Sequence, residues 1–156
     1  MYFEKVLTAE NDSPKGVMRI METIIVPAMA DALDKVNTFV RDKLRSVQCP
    51  VKIQRQVELA VEEIFVNISS YAYHPQTGDA EIGVDIGTDP PTVTIRFTDQ
   101  GHPFNPLEKP DADTTRKAEE REPGGLGILL VKRSMDQVEY TYENGKNILT
   151  IKKEIK

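Results

Sequence analysis

Three groups of residues have the types and spacing to do chemistry. The first lies in Val57-Glu58-Leu59-Ala60-Val61-Glu62-Glu63-Ile64-Phe65-Val66-Asn67-Ile68, which reads as a helix. A helix advances about 100° per residue, so Glu63 and Asn67 stand about 40° apart, whereas Glu62 and Asn67 stand about 140° apart. The apolar stripe of Val57, Val61, Ile64 and Ile68 has the spacing of a core face. Glu63 and Asn67 fall together on one flank of it, beside Ala60, and Glu58 and Glu62 fall on the other. One pair can line a cleft while the other is solvated. The same pattern also suits four ordinary polar residues on an amphipathic helix.

The second group is Asp99-Gln100-Gly101-His102-Pro103-Phe104-Asn105-Pro106, directly after an expected strand. An aspartate at a strand end can hold a ligand amine, and a nearby glycine lets backbone approach closely. Asp-x-Gly is also common turn chemistry. The third is Pro123-Gly124-Gly125-Leu126-Gly127-Ile128. Its glycines open an expected helix whose first amide hydrogens have no internal partner, which makes an anion site with room for phosphate oxygens. The spacing is neither a P-loop nor a dinucleotide fingerprint, and a plain helix cap fits it too. Arg116, Lys117 and Arg121 can reach a phosphate if their loop folds over, or can simply be solvated. His74 and His102 each precede a proline in a turn and make no convincing metal site. Cys49, before Pro50, reads as packing.

The elements that must position these groups follow from periodicity and breakers. Residues 1–17 form an extension in which Tyr2 to Thr8 can make a short strand and Glu10 to Gly16 is loop chemistry. Ile20 to Val26 reads as a strand ending at Pro27. Ala30 to Val47 has helical spacing, with Ala32, Val36, Phe39, Val40 and Leu44 on one side, and Cys49-Pro50 breaks it. A second helix runs from Val51 to Tyr73 and is closed by His74 to Gly78. Ala80 to Ile86 and Thr92 to Thr98 alternate as strands. Leu126 to Met135 reads as a helix. Gln137 to Tyr142 and Asn147 to Lys153 flank the turn Glu143-Asn144-Gly145-Lys146, and Asn-Gly between alternating runs is a strong hairpin signal. Residues 107–122 hold six acidic and four basic residues and almost nothing apolar, as expected of a lid or binding loop. The order implies an α+β two-layer sandwich: one mostly antiparallel sheet covered on one face by helices.

Length and composition narrow the classes. A chain of 156 residues suits one domain with a proper core, here residues 18–156. The net charge of −5 argues against nucleic acid as the main partner. The single cysteine excludes an internal disulfide and a cysteine-based metal cage, and fits a reducing compartment. No apolar run approaches the roughly 20 residues of a membrane span and no export signal opens the chain. A cytoplasmic protein is expected.

The three groups occur in one order: Glu-x-x-x-Asn on a helix, Asp-x-Gly after a strand, then Gly-Gly-Leu-Gly-Ile opening a helix after a polar lid. This resembles the ATP-binding fold shared by gyrase, bacterial histidine kinases and mismatch-repair ATPases, the Bergerat fold. More narrowly the chain is similar to the anti-sigma-factor serine kinases, through Glu-Glu-Ile-Phe-Val-Asn-Ile-x-x-Tyr-Ala-Tyr, Asp-Gln-Gly-x-Pro-Phe-Asn-Pro and Gly-Gly-Leu-Gly-Ile-x-Leu-Val. The resemblance covers about Ile20 to Lys153. It implies ATP and Mg2+ as cofactors, with Asn67 on the magnesium ion, Glu63 as the base for an incoming hydroxyl and Asp99 on the adenine amine. Gly101 would give the base room, and Gly125, Leu126 and Gly127 would present amides to the phosphates. Hard oxygen ligands suit magnesium, and phosphoryl transfer needs mainly positioning, charge neutralisation and one oriented base. Two positions depart from the pattern. Tyr71 stands where many relatives have a basic residue, and Asn147 stands near the threonine that often assists adenine binding through water, where the resemblance implies that its amide substitutes as a nucleotide-binding group.

The resemblance implies a protein serine kinase that phosphorylates an anti-sigma-factor antagonist, binds a sigma factor and forms a homodimer. A nucleotide-binding regulatory module without turnover is the alternative. A histidine-kinase catalytic domain is disfavoured, because the chain is too short to add a phosphoacceptor helix pair.

Overall fold

The computed structural model describes the backbone of residues 8–10, 19–108 and 125–156, with side chains from 21–108 and 127–156. In chain order the elements are β1 (Thr8–Glu10), β2 (Arg19–Pro27), α1 (Leu33–Ser46, preceded by a 3-10 turn at Ala30–Ala32), α2 (Val51–Asn67), β3 (Asp79–Thr88), β4 (Pro91–Asp99), α3 (Gly125–Ser134), β5 (Gln137–Glu143) and β6 (Lys146–Glu154). The strands form one sheet in the order β1-β2-β3-β4-β6-β5, and every neighbouring pair is antiparallel. The expected α+β sandwich is the observed architecture.

Alternation along the strands decides what the helices meet. In β4, Val93, Ile95 and Phe97 are buried on the helix side, and the partners of Ile95 and Phe97 in β6 are Ile151 and Leu149. Side chains repeat every second residue, so Asp99 ends the row of Phe97 and Asn147 ends the row of Leu149. Register places these two polar residues directly opposite each other. Val36, Val40 and Leu44 of α1 and Val57, Val61, Ile64 and Phe65 of α2 fill the layer above. Complete burial of one such aliphatic side chain contributes about 1.5–3 kcal/mol.

Several expectations needed correction. The buried arc of α2 is wider than the stripe read from sequence. Phe65 is wholly inside and so is Ala60, so Glu63 starts at the edge of the core. Beyond Asn67 the helix widens into a π turn over Ile68–Ala72. The Ser69 hydroxyl donates to the Val66 carbonyl, a local bond that competes with the backbone ladder, and Ile68 is only partly buried there. Pro27 is the last residue of β2 and pairs with Asp79. A strand end tolerates its missing N–H. Of the expected opening strand, Tyr2 to Thr8, only Thr8 lies within the described residues; the observed β1 extends to Glu10, where a loop was expected. The expected lid, residues 107–122, lies outside them beyond Glu108. The β5–β6 turn is Asn144-Gly145, with φ of 53° and 75°, the geometry that joins twisted strands in two residues.

Leu44 is wholly buried, whereas Leu59 on α2 is 46% exposed. Leu44→Ala should lower unfolding free energy by about 3 kcal/mol in urea titration, and Leu59→Ala by less than about 0.5 kcal/mol. Equal losses would contradict the packing described.

Candidate functional site

Within α2 the two adjacent carboxylates separate as helical geometry requires. Glu62 is exposed and Glu63 is half-buried. Glu63 leans across to the start of α3: a Cβ added to Gly127 would overlap its Oε2. The missing side chain at Gly127 is therefore what lets the carboxylate approach that helix. Asn67 follows one turn later, half-buried. Among the described residues neither Glu63 nor Asn67 commits its side chain to a hydrogen bond. On the opposite flank Glu58 is not merely solvated. Arg41 Nε donates to its Oε1 at 2.6 Å, and this bond to Glu58 raises the arginine's pKa further.

At the sheet end, Asp99 and Asn147 are 6% and 7% exposed, too buried to remain unpaired without cost. Asp99 Oδ1 accepts the Gly101 N–H at 2.9 Å and an Asn147 Nδ2 hydrogen at 3.0 Å. Asn147 Nδ2 also lies 2.9 Å from the His102 carbonyl oxygen and 3.4 Å from that of Gly101. Its Oδ1 accepts from Phe104 N at 3.1 Å and from the Tyr140 hydroxyl at 2.5 Å. Burial pushes the Tyr140 phenol pKa up, so it stays a donor at neutral pH. Asn147 thus spends both amide hydrogens and its amide oxygen on the protein itself.

The end of the π turn joins the two halves. His102 N donates to the Ala72 carbonyl at 2.9 Å, and a Cβ on Gly101 would overlap that same oxygen. Next along, the Tyr73 hydroxyl accepts from Gln100 N at 2.7 Å and donates to the Asp79 carbonyl at 2.6 Å. Burial raises this phenol's pKa as well. Leu107 N donates to Asn105 Oδ1 at 2.9 Å. Backbone donors of Gln100, Gly101, His102, Phe104 and Leu107 are all satisfied, and Pro103 and Pro106 have none to satisfy.

Two pairings therefore emerge: Asp99, Gly101 and Asn147 in one network, and Glu63 against Gly127 in a second contact. Gly125 and Leu126 begin α3, while Gly124 and the loop cations Arg116, Lys117 and Arg121 lie outside the described residues. Tyr71 is exposed. His74 and His102 are exposed, and His102 enters the network only through its backbone. Sequence reasoning missed Ala72, Tyr73 and Tyr140. Tyr73 carried a signal, as the second aromatic of Tyr-Ala-Tyr at a helix end, but Tyr140 looked like any alternating strand residue.

The donor set fits a nucleotide. A buried carboxylate with one oxygen engaged suits an exocyclic amine, and the first amides of α3 suit phosphates. An amide oxygen beside an uncommitted carboxylate suits magnesium, which needs few protein ligands.

The two close-packed glycines should respond differently to alanine. At Gly101 the obstructing atom is backbone, so Gly101→Ala should destabilise by about 1–3 kcal/mol. At Gly127 it is the far end of a glutamate, which can swing aside, so Gly127→Ala should cost less than about 1 kcal/mol. Thermal melts followed by circular dichroism compare them, and the reverse order would refute this packing.

Residues 26–153 match the histidine kinase-like ATPase domain family. The serine/threonine-protein kinase BtrW of Bordetella bronchiseptica is 25% identical over 100 residues, which is 64% of this chain and 70% of BtrW. Among solved structures, that of the RsbU and RsbW domains of Rv1364c from Mycobacterium tuberculosis superposes with a TM-score of 0.59 at 12% identity. The match covers 85% of this chain and 32% of the larger one, so this chain spans about a third of that protein. At such identity the superposition speaks for the fold. The family match spans most of the sequence, including Glu63, Asn67, Asp99 and the glycine-opened helix. The chain belongs to the histidine kinase-like ATPase domain family.

Proposed function

We propose that this chain is an anti-sigma-factor-type protein serine kinase that uses ATP and Mg2+. The observation that carries the reading is the placement of Glu63: half-buried, uncommitted among the described residues, and leaning on Gly127 at the start of α3. A base for phosphoryl transfer must stand next to the phosphate-binding amides, and this is the carboxylate of α2 that does so. The name of BtrW supports serine/threonine kinase chemistry, and the likeness to the RsbW domain supports the same fold.

Bound ATP supplies the phosphoryl group, and magnesium neutralises charge as it transfers. In this reading Glu63 takes the proton of an incoming serine hydroxyl, which raises the nucleophilicity of its oxygen. Asn67, one turn further on, offers its amide oxygen to the metal. Asp99 accepts a hydrogen from the adenine amine, and Gly101, whose missing Cβ leaves room for the Ala72 carbonyl, holds the turn beside it against the end of the π turn. Gly125, Leu126 and Gly127 present the unpaired amides of the first turn of α3 to phosphate oxygens. The protein substrate would be a small anti-sigma-factor antagonist and the regulated partner a sigma factor. The kinase would work in the cytoplasm as a homodimer. Among the described residues no helix is long and apolar enough to cross a membrane.

Labelled ATP, magnesium and candidate antagonist proteins test the assignment. Glu63→Gln should keep magnesium-ATP binding and lower transfer to serine by about 10²–10⁴-fold. Asn67→Ala should weaken the magnesium-dependent part of binding, read by calorimetry with and without the metal. Equal transfer by wild type and Glu63→Gln would remove Glu63 from the mechanism. ATP binding without transfer to any antagonist would favour a regulatory module that holds nucleotide without turnover. Sedimentation as a monomer at high concentration would refute the dimer.

A further inference from the structure

We propose that Asn147 is a positioning residue, held by Tyr140, which fixes Asp99 as the acceptor for a 6-amino group and so sets preference for adenine over guanine. This rests on the reading of Asp99 as the adenine contact and changes the role of its neighbour. A residue at this place that touched nucleotide directly would need spare polar capacity. Asn147 has none. A carboxamide offers two hydrogens and two lone pairs. The hydrogens go to Asp99 Oδ1 at 3.0 Å and the His102 carbonyl at 2.9 Å, with the Gly101 carbonyl at 3.4 Å sharing them. The lone pairs take Phe104 N at 3.1 Å and the Tyr140 hydroxyl at 2.5 Å.

The orientation of the amide has only one solution. Turned over, its NH2 would face the Phe104 N–H and the Tyr140 hydroxyl, and its oxygen would face a carboxylate and two carbonyls. Tyr140 comes from β5, opposite Leu149 of β6, so a strand that holds no other candidate site residue locks the amide from the side. Desolvation keeps that phenol protonated. The consequence falls on Asp99. Both donors, Gly101 N and Asn147 Nδ2, converge on Oδ1, which fixes the plane of the carboxylate and leaves Oδ2 as the acceptor for a ligand. Adenine offers a donor at position 6, whereas guanine offers an oxygen there, which a fixed carboxylate oxygen repels. A carboxylate free to turn about its bond would discriminate less.

Calorimetric titration of the full chain with magnesium-ATP and magnesium-GTP tests this in wild type, Tyr140→Phe, Asn147→Asp and Asp99→Asn. Wild type should prefer ATP. Tyr140→Phe removes one hydrogen bond and little volume, so ATP affinity should fall about three- to tenfold, with the ATP:GTP ratio narrowing. Asn147→Asp sets a second carboxylate against Asp99. ATP binding should be at least about tenfold weaker at pH 8 and recover as the pH falls, because two such carboxylates can share one proton. Tyr73, Tyr140, Tyr142, Glu108 and His102 are the other titratable groups around this network, and the wild-type pH profile controls for them. An unchanged ATP:GTP ratio in Tyr140→Phe, with a wild-type pH profile in Asn147→Asp, would overturn the proposal. Equal weakening of ATP and GTP with a lowered melting temperature would overturn it too, since that is a structural role alone. If Asn147→Asp does not fold, the Tyr140→Phe ratio decides. Asp99→Asn separates the two readings. Its binding ATP like wild type would sink the adenine assignment itself, whereas its losing ATP while the other variants behave as wild type would sink only the role of Asn147.

Discussion

The contact on which the site depends is the carbonyl of Ala72 against the turn that follows β4. On one side of it lies the helix that carries Glu63 and Asn67, and on the other the strand end that carries Asp99. His102 N donates to that oxygen at 2.9 Å, and Gly101 passes over it with no room for a Cβ. Core packing already sets α2 over β4, and this junction, with the bond from Gln100 N to the Tyr73 hydroxyl, ties the turn itself to the end of the helix. Its position also accounts for the odd end of α2. A helix that stopped at Asn67 would not reach the turn, and the π turn from Ile68 to Ala72 carries the chain there. Single π turns recur at functional sites, and here the widened turn delivers a carbonyl to a partner outside the helix.

A second consequence is an asymmetry between the two ends of the site. The turn from Asp99 to Leu107 meets its own hydrogen-bonding needs through Tyr73, Ala72, Asn147 and Asn105. These partners come from the end of the π turn, from β6 and from the turn itself, which makes the turn hard to displace piecemeal. Two prolines remove backbone donors that would otherwise need partners. The Glu63 and Asn67 end is the opposite. Its side chains are half-buried and uncommitted among the described residues, and the packing against α3 rests on a glycine. Fixed contacts suit a ligand part that has only to be held, whereas a group that is to accept a proton must keep its acceptor oxygen free until it does so.

Much of the fold was legible in the sequence because its determinants are local. The hairpin announced itself in Asn144-Gly145, and β3 and β4 in their alternation. The separation of Glu63 from Glu62 needed only the helical repeat, and that argument survives because the π turn begins after Asn67. What was not legible depends on partners far away in the chain. Phe65 looked no different from Val66, yet one is wholly buried and the other exposed. Its place was decided by the sheet below. Tyr140 was an ordinary strand residue, and Asn147 stood out only by its place near a family threonine, until register set Asn147 opposite Asp99. Glu58 found Arg41 from α1, an ion pair that no reading of α2 alone contains. The π turn left no periodic trace, because five residues are too few to show a change of period.

Ordering flexible groups on binding costs about 0.5–1.5 kcal/mol for each immobilised side chain. In the turn after β4 that ordering is already complete in the folded protein, and the buried polar groups there are paired with one another rather than waiting for a ligand. The base end of a nucleotide would therefore meet a fixed acceptor at little conformational cost, and its affinity would depend on complementarity to Asp99. At the other end Glu63 must remain able to receive a proton, so a permanent partner would oppose its proposed task. Firm pairing at Asp99 and an uncommitted carboxylate at Glu63 are thus what the proposed phosphoryl transfer would ask of the two sides of the Ala72 carbonyl.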